Sequence, residues 1–245
     1  MSEYEVSTDS APTEKTRKWQ PLGSIERRVL GTLVEKAKTT DTYPMSLNAL
    51  TNGCNQKSNR DPQMSLEPHQ VEEALEKLRS MGAVAEVQGD SRVAKYRHYA
   101  YDWLGVDKYE IAVMAELMLR GAQSVGELRG RAARMEAIAD VAALRPVLES
   151  LIEKDLVISL TPPGRGQMVT HNLYLPDQLE KVKRSIGSTV AVNSSESLAA
   201  STSSTNHSPR NSDDVAELRA EVSELRSEVT QLKSEIEDLR QLMRG

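Results

Sequence analysis

The chain has 245 residues, of which 31 are basic, 36 are acidic and 38% are hydrophobic, for a formal charge of −5. This length holds one or two domains, and an apolar share slightly under the globular norm means that part of the chain builds no core. Cys54 is the single cysteine, which excludes an internal disulfide and a cysteine-cluster metal site. No apolar run reaches the ~18 residues of a membrane-spanning helix. Residues 1–14 carry four acids and no apolar stretch, so neither a secretory signal nor a membrane partner is expected, and the expected location is cytoplasmic. The negative charge sits in the tail: residues 187–245 hold 6 basic and 10 acidic side chains, whereas residues 1–101 hold 14 of each. Net charge therefore says little against nucleic acid, because local patches decide that.

Residues 1–21 are polar apart from a lone Trp19 and are expected to be disordered. Ile25, Val29, Leu33 and Ala37 recur every four residues and predict an amphipathic helix that ends near Pro44. Ser46 is the N-cap of a second helix burying Leu47 and Leu50, and a third helix runs from about Pro68 to Met81, with Gly82 as its stop. Two short strands follow, Ala83–Gln88 and Val93–Tyr99, turning at Gly89-Asp90-Ser91. Three helices and a hairpin in this order predict a winged helix.

The pattern then recurs. Val29 and Leu33 align with Val113 and Leu117, Ser46 with Ser124, Leu75 with Leu148, and His98 with His171. A second winged helix is expected, with a hairpin turning at Thr161–Gly166. Residues 187–212 contain 12 Ser or Thr among 26, too polar to order by burial. Beyond them, Val215, Val222, Val229 and Ile236 fall at heptad position a, and Leu218, Leu225, Leu232 and Leu239 at d. β-Branched residues at a with Leu at d favour a parallel two-stranded coil. Glu221, Glu228 and Glu235 at g would face Arg226, Lys233 and Arg240 at e on the partner helix. No a position is polar, so the choice between two and three strands stays open.

The fold class expected is thus mainly α with small β-hairpins (α+β): a disordered 1–21, winged helices over 22–101 and 102–186 (the latter with a trailing helix), a linker over 187–213, and a coiled coil over 214–243.

Residue sets for catalysis are missing from the pattern. His69, His98, His171 and His207 show no metal-ligand spacing, and no phosphate-binding glycine loop occurs. Cys54 lies far in sequence from any histidine and reads as a small buried residue. No enzyme, metal or cofactor is expected.

A winged helix usually lays its third helix in the major groove and touches phosphate with its wing. Here the third helix carries Glu72, Glu73 and Glu76, with Glu67 before it, a poor match to phosphate. The first wing is better, with Arg92, Lys95 and Arg97, and so is the loop holding Asn55, Lys57, Asn59 and Arg60. Amides read adenine edges, and Lys or Arg hold phosphate; these seven residues form the candidate nucleic-acid surface. The same loop residues also suit a turn whose asparagines cap backbone groups. Arg129, Arg131 and Arg134 read as a solvated basic face rather than as nucleic-acid contacts.

The stretch from Leu22-Gly-Ser-Ile-Glu-Arg-Arg-Val-Leu-Gly to Thr39-Thr40, then Asp41-Thr-Tyr-Pro-Met-Ser-Leu-Asn-Ala-Leu-Thr-Asn-Gly-Cys-Asn-Gln-Lys-Ser-Asn-Arg-Asp-Pro62, resembles the bacterial YceH-like family. The resemblance is strongest over 22–62 and looser to about 175. It implies a tandem winged-helix fold and supplies no catalytic or ligand residues. Residues 161–171 depart from it, being shorter and less charged than the wing the family implies. The function expected is a non-enzymatic, dimeric DNA-associated regulator, paired with itself through the coiled coil. The alternative is an adaptor whose winged helices bind a protein partner, as in chromosome-organising complexes.

Overall fold

In a computed structural model the described residues are 19–87, 93–164 and 166–197. Helix α1 (Ser24–Thr39) leads through the two-residue strand β1 (Met45–Ser46) into α2 (Leu47–Cys54), whose N-cap Ser46 accepts a hydrogen bond from the Ala49 amide. Helix α3 (Pro68–Ser80) is opened by a capping box between Glu67 and Gln70. The antiparallel strands β2 (Val84–Val87) and β3 (Lys95–His98) follow, and β3 lies between β1 and β2. A short α4 (Ala100–Leu104), absent from the sequence expectation, ends on Gly105 in the left-handed conformation.

The same series then repeats. Helix α5 (Lys108–Arg120), β4 (Gln123–Ser124), α6 (Val125–Ala132), α7 (Val141–Glu153), β5 (Val157–Ser159) and β6 (Met168–His171) form a second three-stranded antiparallel sheet in the order β4-β6-β5. The two registers agree: Val84 pairs with His98, and Val157 with His171. Helix α8 (Pro176–Ser197) closes the described chain. Among the described residues the architecture is mixed α+β and mainly helical, with eight helices.

The two repeats were expected as separate domains, and the structure joins them. Helices α1 and α5 pack against each other, and one continuous apolar core runs from Trp19 through Leu33 and Val113 to Leu173. Both helices are buried on all sides, over Glu26–Glu35 and Glu110–Leu119, as a helix between two layers must be. The approach is close: a methyl added to Gly31 would sit 3.1 Å from Leu119 Cγ. A cross-repeat ion pair rims the seam, with Glu136 2.9 Å from Lys38.

Two boundaries shift. Residues 19–21 were expected in the disordered lead-in, but Trp19 is buried in the core and the neighbouring Leu22 amide bonds the Leu173 carbonyl at 2.8 Å. Helix α8 continues to Ser197, through eleven residues whose Ser/Thr content had suggested linker; those residues combine a helix with a composition that alone would not order it. The expected disorder of 1–18, the rest of the linker, and the coiled coil with Val215, Leu218, Val222, Leu225, Val229, Leu232, Ile236 and Leu239 lie outside the described residues.

Candidate nucleic-acid interface

The loop between α2 and α3 is built around a buried ion pair. Arg60 is 4% exposed and forks onto Glu35, donating from Nη2 to Oε2 at 2.6 Å and from Nη1 to Oε1 at 3.3 Å. Its remaining donors reach the Gly53 carbonyl, the Asn59 carbonyl and Gln56 Oε1. Asn59 adopts φ 58, a left-handed turn that asparagine tolerates better than most residues. Asn55 clamps the loop from the other side: its amide donates to the Leu66 carbonyl and its Oδ1 accepts from the Leu66 amide, both at 2.8 Å.

Two of the four loop residues chosen as DNA contacts must therefore be corrected. Arg60 has every face occupied by protein, and Asn55 spends its amide on Leu66. They hold the loop's shape, which matches the capping role that the same composition also suggested. Lys57 is exposed and Asn59 is half-buried.

On the hairpin, Arg97 is exposed, with its guanidinium 5.1 Å from the Tyr99 ring centre, and Lys95 is half-buried. Arg92 lies outside the described residues. The exposed face of α3 carries Glu72, Glu73 and Glu76 beside Lys77 and Arg79. Those two cations are already engaged, Lys77 with Glu26 at 2.9 Å and Arg79 with Glu86 at 3.1 Å. In α7 the exposed positions include Val141 (36%) and Ile152 (42%). The structure leaves Lys57 and Arg97 exposed and Lys95 half-buried in the first repeat but supplies no basic third helix.

Three arginines of the second repeat serve the fold, in place of the solvated face expected for them. Arg129 donates to the Ile138 and Ala139 carbonyls, Arg131 to Gln123 Oε1 at 2.6 Å, and Arg134 to the buried Glu116 at 3.1 Å. Cys54 is fully buried, and desolvation pushes its thiol up to about 11, far from the thiolate a nucleophile requires. Among the described residues no group of three metal-ligating side chains converges, and no helix is long and apolar enough to cross a membrane.

Sequence reasoning missed Arg27 and Arg28. Both are buried, at 7% and 1% exposure. Arg28 donates to the Cys54 and Pro62 carbonyls at 3.0 and 2.6 Å. Arg27 donates to Gln178 at 2.8 Å and lies 4.5 Å over the Tyr174 ring. A single four-residue stripe on α1 accounts for one buried face only. The available signal was Leu30 and Val34, which lie off that stripe and mark a second buried face.

The family model described as "Protein of unknown function, DUF480" matches residues 22–165. The chain belongs to this family. The DUF480 match takes in the first repeat and most of the second, in agreement with the YceH-like resemblance of Leu22–Pro62. A UPF0502 protein of Rhodopirellula baltica is 50% identical over 197 residues, covering 78% of this chain and 83% of the relative. UPF0502 proteins of Geotalea daltonii and Citrifermentans bemidjiense are 50% and 49% identical, covering 59% and 60% of this chain and 68% and 70% of theirs.

Proposed function

We propose that both repeats are winged helices and that the chain is a non-enzymatic, DNA-associated regulator, dimeric through a parallel coiled coil over 214–243. The observation that supports the DNA reading is the cation set of the first repeat, the exposed Lys57 and Arg97 with the half-buried Lys95; Arg92 would extend it. Contact through these residues is to phosphate, because the acids of α3 oppose entry of that helix into the major groove. Such binding is weak per head and nearly sequence-independent, and it gains strength when a dimer tethers two heads.

Fluorescence anisotropy of mixed double-stranded DNA across a salt series tests this. Lys57→Glu with Arg97→Glu should weaken binding about tenfold or more and reduce the log–log salt slope by about 2 per chain. Unchanged affinity and slope remove this surface from the model. A chain cut after Ser197 should bind more weakly than the full chain and run as a monomer, with the full chain at twice its own mass by light scattering. A monomeric full chain at micromolar concentration refutes the coiled-coil dimer.

The adaptor reading has its own support. The acids of α3 suit a basic protein surface, and the exposed Val141 and Ile152 of α7 suit an apolar one. Failure of both the full chain and the chain cut after Ser197 to bind DNA at low salt would favour it.

A further inference from the structure

The seam between the repeats holds a cavity of about 320 Å³, lined by Arg27 and Arg28 of α1, Arg120 of α5, Asp61, Ala122 and Tyr174, among others. We propose that it is a binding site for a small oxyanion, a carboxylate or phosphate group carried on a compact body. None of the lining residues belongs to the proposed DNA surface, so the inference goes beyond that reading.

Charge is the first argument. Arg27, Arg28 and Arg120 line the cavity, and Asp61 is the one acidic residue of the lining; Arg120 also lies 3.9 Å from Glu116. Among the described residues, no carboxylate lies within 4 Å of Arg27 or Arg28. Their hydrogen bonds go to carbonyls and to Gln178, so neither guanidinium has a carboxylate in direct contact, and Glu26 and Asp61 offset the two charges only from a distance. Burying a guanidinium without a counter-charge is costly, and a bound anion would remove that cost. Burial lowers the pKa of both arginines, and the nearby Arg60 pushes Arg28 down further.

Unused donors are the second argument. Three buried side-chain atoms lack a hydrogen-bond partner among the described residues, and two of them are Nε of Arg28 and Nε of Arg120. The third, Glu116 Oε1, is 3.9 Å from Arg120 Nε, too far for a hydrogen bond. Arg28 itself is 1% exposed, so bulk water does not serve its Nε. A guanidinium with a vacant Nε–H suits an oxygen of a carboxylate or phosphate; both Nε atoms are sealed in the unliganded protein, so the anion engages them as the side chains turn toward the cavity.

Preorganisation is the third. Arg27 is held by Gln178 and by the Tyr174 ring, which itself stacks on His171 at 4.0 Å. Met64, Met118 and Val182 supply an apolar wall, so the ligand can carry a few carbons as well as its charge. The volume admits a small metabolite and excludes a polymer.

Equilibrium dialysis of the full chain against labelled inorganic phosphate and labelled benzoate, at fixed ionic strength in chloride, is the test. One saturable site per chain is expected for at least one probe, and the probe that binds identifies phosphate or carboxylate as the group recognised. Arg120→Gln should weaken that binding about tenfold, the loss expected for one charge-assisted hydrogen bond. Ala122→Leu, which fills the cavity, should abolish it, while Lys57→Glu with Arg97→Glu should leave it unchanged. In the unaltered protein the Nε–H signals of Arg28 and Arg120 should shift with the same saturation curve. No saturable binding of either probe, or saturable binding that leaves these signals in place, overturns the proposal whether or not the variants fold.

Discussion

Arg60→Ala lowers the free energy of unfolding by about 3–5 kcal/mol, the typical cost of breaking a buried pair by removing one partner. The estimate follows from geometry. The Arg60 side chain is fully buried and that of Glu35 is 6% exposed, with the closest contact at 2.6 Å. Removing the guanidinium leaves the Glu35 carboxylate with only Lys36 at 4.0 Å and the Gly53 and Asn59 carbonyls without their Arg60 donor. Urea denaturation reads the effect as a lower midpoint at unchanged slope. Lys57→Ala, three residues earlier and exposed, should move the midpoint by less than about 0.5 kcal/mol. If the two variants are equally stable, the loop is not organised by the ion pair. The contrast also separates the two roles of this loop: loss of DNA binding in Arg60→Ala would report a damaged loop, whereas loss in the Lys57 variant would report contact.

Acid destabilises the protein between pH 6.5 and about 4 through His98 and His171. Burial, reinforced by the charges of Arg97 and Lys38, holds His98 at about 4. Burial beside Arg27 holds His171 well below its ordinary value. Each ring accepts a backbone hydrogen bond at Nδ1, from Ala100 at 3.3 Å and from Leu173 at 3.1 Å, so protonation breaks a bond as well as burying a charge. In this window the unfolded chain binds protons that the folded chain refuses, so stability falls as pH falls. It is fully present above the unfolded value near 6.5 and is lost progressively down to the folded value. For His98 the loss by pH 4 is about 3 kcal/mol. His98→Asn, whose Oδ1 can accept the same bond without titrating, should flatten the fall between pH 6.5 and 5, where carboxylates of ordinary pKa contribute little. A variant with the slope of the unaltered protein would show that His98 does not titrate with unfolding.

Much of the architecture was determined by the sequence alone. The period of Ile25, Val29 and Leu33, the N-cap at Ser46 and the paired offsets of His98 with His171 depend on local spacing and on one repeat resembling another. Periodicity therefore located α1, α3 and the strands of the first hairpin to within a few residues, while α8 runs eleven residues past its expected end. The YceH-like resemblance over Leu22–Pro62 and the DUF480 match point to the same family.

Tertiary structure decided which charges are available. Arg60 and Lys57 lie three residues apart in a polar loop, and nothing local distinguishes them. One is buried because Glu35, on a helix 25 residues earlier, meets it when α1 and the loop pack. Arg27 and Arg28 look like ordinary polar positions of an amphipathic helix until α5 packs on α1, Gln178 of α8 bonds Arg27, and the carbonyls of Cys54 and Pro62 bond Arg28. Side-chain burial is a sum over neighbours distant in sequence, and a helix with two buried faces arises only when two repeats share one core. The candidate DNA surface was thus only partly legible, and the arginine-lined cavity exists only in the assembled fold.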